Sequence, residues 1–425
     1  MAARCSVAEG DASHSQLGDH NGNGPYATFC SRESPLLPII RPDEKNGMEP
    51  EALDRLIQIG NDPYGQLTNI RSTKKIIGST LADVPEEVIH AAGLHPFLIL
   101  GTNKPISHAS ALLPDNSCSL ARSNLELLIG YQEDFFDGFV LSEVCDTTQH
   151  LSDIWRRKFP DVYFANFLAP RQVNRPSAHY WYAQECRRLQ TELEKYTGRA
   201  ITDEDLWNSF RLFNDNRALL RRLYDFKREM PALLSNRSFF DIVKAGFFMD
   251  KKEHTRLVKQ VVDWVQEERE GVAEKNRYFR AIAAGIVVEP PQMFDLMDQV
   301  RANIVGDNLC TATRYIDYDV ALDGDPAEAL ADRHLRKPHF SPINDDPTRI
   351  YNDLLDLYRE KGAEAIFYIH IKYCESQDYD LPDIKMKMRD EGIPFLELET
   401  EYQTTHLAQM RTRLQAFCES VLGRI

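Results

Sequence analysis

The chain has 425 residues, 43% hydrophobic and 27% charged, with 65 acidic against 50 basic side chains and a formal charge of -15. Such a length calls for two or three domains, and the balance is that of an ordinary globular protein rather than a disordered or membrane chain. Phosphate backbones are bound by clustered Lys and Arg, so the acidic surplus argues against nucleic acid, and no run reaches the roughly 18 apolar residues of a membrane span.

The start, MAARCSVAEGDASHSQ, lacks an apolar signal core, so the expected location is the cytoplasm. Residues 1–69 read as an N-terminal extension, because GDHNGNGP and isolated prolines leave few periodic apolar positions. Residues 70–176 then alternate short apolar runs with helical segments, the pattern of a parallel sheet covered by helices. KKIIGS and HPFLIL are strands around the helix VPEEVIHAAG, with Pro85 in its first turn and Gly93 at its end. A loop carrying Cys118 leads into a helix from Ser119 to Gly130, and the strand GFVLSEV ends at Cys145. A helix from Thr147 to Phe159 and the strand VYFANF follow.

Residues 177–275 show long helical periodicity instead, with Thr202 and Asp205 as a capping box. Trp181 and Trp207 read as members of a buried amphipathic stripe. Alternation returns over 276–425: AIAAGIVVE, NIVGDNLC, EAIFYIHI and IPFLELE are strands. PQMFDLMDQVRA, TRIYNDLLDLYREKG, LPDIKMKMRDEG and the segment from Leu407 to Leu422 are helices. The expected fold is therefore α/β, two doubly wound parallel-sheet domains with a helical insertion between them.

Ligands of open parallel sheets collect beyond the carboxyl ends of strands, where loops converge and helix N-termini offer free N–H groups. Cys145 and Cys374 each close a strand, and Cys118 lies in a loop that opens a helix. A site using all three lies between the two α/β domains. The eight cysteines have no framework spacing and no CxxC pair, so in a reducing compartment packing and thiolate ligation of a metal cluster both stay open.

Six segments occur in order: GSTLADVPEEVIHAAGLHPFLI, CSLAR, VCD, DNLCTATRY, IKYCE, and ETEY with QMRTRLQAF. Together they resemble the 2-hydroxyacyl-CoA dehydratase and class I benzoyl-CoA reductase family (D-component type), over roughly residues 70–425. The resemblance implies that Cys118, Cys145 and Cys374, in motifs similar to the family's CS-x-AR, ACD and KFC, hold a 4Fe-4S cluster. It also implies a related cluster-bearing sister subunit, ATP-hydrolysing activator subunits with their own cluster, ferredoxin as indirect electron donor, and an acyl-CoA substrate. The chain has no GxxxxGK[ST] phosphate loop, which agrees with ATP being handled elsewhere.

Cys310 sits in a segment similar to the family's DD-x-CTGSRY, from which Asn308 and Ala312 depart, and is expected to border the site without supplying a thiolate. Arg122, Arg314 and Arg411 are either anchors for coenzyme A phosphates or ordinary ion-pair partners. Asp146 and Asp307 are either contacts behind the cluster or helix caps. Cys5, Cys30, Cys186 and Cys418 fall in the tail or on amphipathic helices. In length, leader and helical middle the chain is most similar to the larger, B-type cluster subunit of the benzoyl-CoA reductases. The expected function is thus the iron–sulfur subunit of an ATP-dependent aromatic acyl-CoA reductase, dearomatising the ring by low-potential single-electron transfer. A (R)-2-hydroxyacyl-CoA dehydratase subunit working through a ketyl radical is the alternative, and a non-catalytic cluster-bearing partner the third reading.

Overall fold

The computed structural model describes residues 50–423 apart from 81–82, 133–134, 270–276, 344–345 and 404–405. Cys5, Cys30 and the GDHNGNGP stretch lie outside the described residues. The description opens with two helices, α1 (Glu51–Asn61) and α2 (Leu67–Arg71). Leu53, Leu56 and Ile59 recur on one face of α1 and are buried, as a core-facing helix requires.

The first sheet contains β1 (Ile76–Ser79), β2 (His95–Leu98), β3 (Gly138–Ser142) and β4 (Tyr163–Phe167), with α3 (Glu86–Ala91), α4 (Ser119–Leu127) and α5 (Asp146–Lys158) between them. Its order is β2-β1-β3-β4, all parallel. The helical stretch follows as α6 (Pro176–Thr197), α7 (Asp203–Glu229), α8 (Asn236–Ala245) and α9 (Lys251–Glu268). Thr202 caps α7 in a capping box with Asp205, as its spacing indicates.

The second sheet contains β5 (Phe279–Gly285), β6 (Ala302–Asp307), β7 (Ala365–Ile371) and β8 (Phe395–Thr400). Five helices of this half lie between the strands: α10 (Gln292–Gln299), α11 (Thr313–Ile316), α12 (Pro326–Arg336), α13 (Arg349–Glu360) and α14 (Glu375–Asp390), followed by the terminal α15 (Leu407–Leu422). The order β6-β5-β7-β8 repeats that of the first sheet, again all parallel. Every residue of β1, β3, β6 and β7 is buried, which is how parallel strands covered on both faces behave.

Each sheet has a point where the chain first winds to one side and then to the other, between β1 and β3 and between β5 and β7. A crevice opens beyond the carboxyl ends of such strands. The expected α/β architecture with intervening helices is the one observed. Trp207 packs on Phe210 of the core at a ring separation of 5.4 Å, but Trp181 is 50% exposed, with its indole N–H donating to the Leu168 carbonyl. No described helix is long and apolar enough to cross a membrane.

Candidate functional site

Three cysteines occupy the same local position on three different helices. Cys118 is the N-cap of α4, Cys145 of α5 and Cys374 of α14. The first turn of a helix has backbone N–H groups without intrahelical acceptors, and the aligned peptide dipoles place partial positive charge there. A sulfur at the N-cap accepts those donors and is favoured as thiolate. The Cys118 sulfur accepts from the N–H groups of Leu120 and Ala121, and that of Cys374 from Gln377 N–H. Cys145 lies 3.6 Å from the Thr148 hydroxyl oxygen, which accepts from the Cys145 and Val144 N–H groups at 3.0 Å.

All three sulfur-bearing residues line one apolar cavity. The strands that flank both crevices contribute to its wall, through Thr80 after β1, Val144 after β3, Ile286 after β5 and Ile371 at the end of β7. Leu120 and Phe340 complete the apolar surface. Cys118 and Cys374, from different halves of the chain, are hydrogen-bonded to each other. That bond, against the opposing effect of burial and with help from the helix N–H groups, brings the Cys118 thiol down to about 7. The same bond and burial push Cys374 upward, so the pair retains its proton on Cys374 while Cys118 becomes the thiolate.

Among the described residues no three His, Cys, Asp or Glu side chains converge on a single ion. A thiolate-ligated cluster makes a different demand, since its ligands surround an inorganic core instead of one atom. Three thiols on helix N-termini around a dry cavity match that demand in donor type, charge and surroundings.

Local geometry makes the arrangement possible. Tyr373 has φ 62°, in the left-handed region, and is 42% exposed. This turn carries the chain from β7 into α14 and sets Cys374 at the cap. Ser119 N–H donates to the Lys372 carbonyl at 3.2 Å, tying the start of α4 to the same turn. The left-handed conformation costs a non-glycine residue about 1–2 kcal/mol, and glycine loses about 0.5–1 kcal/mol in entropy. Tyr373→Gly is therefore expected to stabilise the chain slightly, by about 0.5–1 kcal/mol, in urea unfolding; a loss of stability would show that the ring holds the turn.

The loop before Cys118 is held by Glu126, which accepts from the N–H groups of Ser107 at 3.0 Å, His108 at 2.7 Å and Ala109 at 2.8 Å. Burial opposes its charge, but these donors and His108 outweigh it and bring the carboxyl to about 2. Glu126 and Thr148 escape a reading of the sequence, because a Glu and a Thr inside amphipathic helices carry no signal of an inward turn.

The remaining candidates fall as follows. Cys310 is buried in a small apolar cluster with Cys374, Phe340 and Ile371 but does not line the cysteine cavity. Burial pushes its thiol up to about 12. Cys186 and Cys418 are buried on α6 and α15. Asp307 accepts from Tyr224 and Thr313 hydroxyls and from the N–H groups of Leu309 and Thr313, so it organises the loop after β6. Asp146 is the exposed first residue of α5. Arg122 lies 3.8 Å from Glu401, Arg314 lies 3.3 Å from Asp83, and Arg411 is exposed on α15.

A family model described as 2-hydroxyglutaryl-CoA dehydratase, D-component, matches residues 82–421. The chain is 29% identical to the beta subunit of the lactoyl-CoA dehydratase of Anaerotignum propionicum, over 79% of this chain and 88% of that one. It is 24% identical to the (R)-phenyllactyl-CoA dehydratase beta subunit of Clostridium sporogenes, over 82% and 92%. It is 25% identical to one of the benzoyl-CoA reductase subunits of Thauera aromatica, over 82% and 91%.

Proposed function

Because this chain belongs to the 2-hydroxyglutaryl-CoA dehydratase D-component family, we propose that it holds a 4Fe-4S cluster on Cys118, Cys145 and Cys374 and serves one-electron chemistry on an acyl-CoA. The observation that carries this reading is the meeting of three helix-capping cysteines in one apolar cavity. When bound, such a cluster supplies a one-electron couple at low potential. The chain's own contribution is physical. N–H groups of α4 and α14 donate to the sulfurs of Cys118 and Cys374, Thr148 sits beside Cys145, and Leu120, Ile286, Phe340 and Ile371 exclude water from the reacting centre. Anaerobic purification followed by iron and sulfide analysis and EPR tests it; about four irons per chain are expected, and none would refute the reading.

Reduction of an aromatic acyl-CoA is the reaction proposed first, on the similarity in length and helical middle to the larger reductase subunit. Dehydration of a 2-hydroxyacyl-CoA is the second reading, favoured by relatives named as lactoyl-CoA and phenyllactyl-CoA dehydratase subunits. Both need an electron of low potential placed in a thioester. Incubation of the assembled enzyme with benzoyl-CoA and with a 2-hydroxyacyl-CoA separates them: a cyclic diene marks the first, an enoyl-CoA the second.

Relatives that are themselves named as single subunits of larger enzymes support assembly with other chains. We expect a related sister subunit, ATP-hydrolysing activator subunits and a ferredoxin donor. The purified chain alone is then expected to show neither ATP hydrolysis nor substrate turnover, and to gain turnover when those subunits are added. Robust ATPase activity of the single chain would contradict this division of labour.

A further inference from the structure

A second cavity, of about 50 Å³, lies beside the cysteine cavity and shares Thr80 with it. Its walls come from the end of β1, from α3 and α7, and from the C-terminal end of α12. The lining carries three cations, Arg217, Arg333 and Lys337, against two carboxylates, Glu86 and Glu87. Both carboxylates are already engaged. Glu87 is ion-paired with Arg217, and Glu86 lies 3.7 Å from Lys251, while nearby Asp83 lies 3.3 Å from Arg314.

Two cations are left over. Arg333 donates to the carbonyls of Tyr315 at 2.6 Å and Tyr318 at 2.8 Å and has no carboxylate partner among the described residues. Lys337 is 8% exposed, and its ammonium has neither a hydrogen bond nor an ion pair among the described residues. A buried, unpaired ammonium is one of the costliest groups a fold can carry, and chains normally keep one only where something else satisfies it. Burial and the neighbouring Arg333 and Arg314 hold its pKa well below the ordinary lysine value, while Asp83 acts in the opposite direction. His334, on α12, is likewise held neutral by burial and supplies no negative charge.

We propose that this cavity is a binding site for a small carboxylate, received by Lys337 with Arg333 behind it. The guest is either a free acid or the acid terminus of an acyl thioester, since the chemistry at Lys337 is the same in both. Room for a few water-sized bodies limits it to a carboxylate with a short aliphatic stem. An anion there supplies the missing partner for both cations, whereas an apolar acyl end leaves them buried and unpaired.

Calorimetric titration of the full-length chain with succinate and with butyrate, which differ by one carboxylate, tests the assignment. Succinate is expected to bind at least about tenfold more tightly than butyrate, and Lys337→Met is expected to remove that preference. Should the methionine variant fail to fold, Lys337→Gln serves in its place. Succinyl-CoA and butyryl-CoA identify the source of the acid. Stronger binding of succinyl-CoA than of free succinate, lost in the variant, marks a thioester terminus; binding of the free acid alone marks a separate carboxylate ligand. Equal affinity for succinate and butyrate in the unaltered chain would overturn the proposal. So would a preference that survives removal of Lys337, or sulfate competing as well as succinate. None of these readouts depends on iron, so failure of the cluster assignment and failure of this one are separately visible.

Discussion

Single replacement of Cys118, Cys145 or Cys374 by Ala is expected to strip the chain of most of its iron and to lower turnover of the assembled enzyme by at least about 100-fold. Removal of groups that merely orient a metal ligand already costs about 10–100-fold, and a ligand itself contributes more. The three changes should be alike in effect, because each sulfur caps its own helix at the wall of one cavity. Cys186→Ala and Cys418→Ala remove sulfurs packed on α6 and α15. They should cost on the order of 1 kcal/mol in stability through small cavities and leave iron content unchanged. Cys310→Ala should also keep its iron, since Cys310 faces the neighbouring cavity. Iron analysis of all these variants, with circular dichroism to verify folding, decides the matter; full iron in Cys374→Ala would remove that residue from the site.

Loss of one partner of the Glu87–Arg217 ion pair should be the most damaging change to the fold. The two side chains are 3% and 1% exposed, and the pair ties α7 of the helical stretch to α3 of the first sheet. Arg217 also donates to Asn214 at 2.9 Å. Burial, with the charge of Arg333 acting in the same direction, brings its guanidinium down to about 9, which shows how little solvent reaches it. Glu87→Gln or Arg217→Met strands a buried charge and is expected to cost about 3–5 kcal/mol. The double variant removes both charges and should recover most of that loss. Urea unfolding of the two single variants and the double variant gives the comparison; additive losses would mean that the ion pair is not the source of the cost.

Much of this architecture is legible in residue order. Short, fully apolar runs such as AIFYIHI can only be strands buried on both faces, and their alternation with amphipathic segments implies parallel sheets. The capping position of Cys118 is visible for the same reason, because the helical pattern begins at Ser119. Cys374 is harder to place. Pro382 lies inside α14, and a proline normally marks the first turn of a helix, so the pattern LPDIKMKMRDEG points to a start there. The helix instead begins at Glu375, where tertiary packing overrides the local preference, and this earlier start is what makes Cys374 a cap. The helix α12, which carries Arg333 and packs against α6, is absent from the sequence expectation altogether. Nor is the charged cavity visible, since its walls come from residues between Ser79 and Lys337 and no local pattern links them.

The cysteine cavity takes walls from both sheets, and this has a consequence for synthesis on the ribosome. Cys118 and Cys145 emerge early with the first sheet, but about 230 residues separate Cys145 from Cys374. At about 5–20 residues per second, those two positions leave the ribosome roughly 10–45 s apart. During that interval the nascent chain exposes two helix-capping thiols, while β7 and α14, the elements that close the cavity, do not yet exist. Any inorganic cargo for this cavity must therefore be delivered near or after release of the finished polypeptide, and the early thiols need protection from oxidation while they wait.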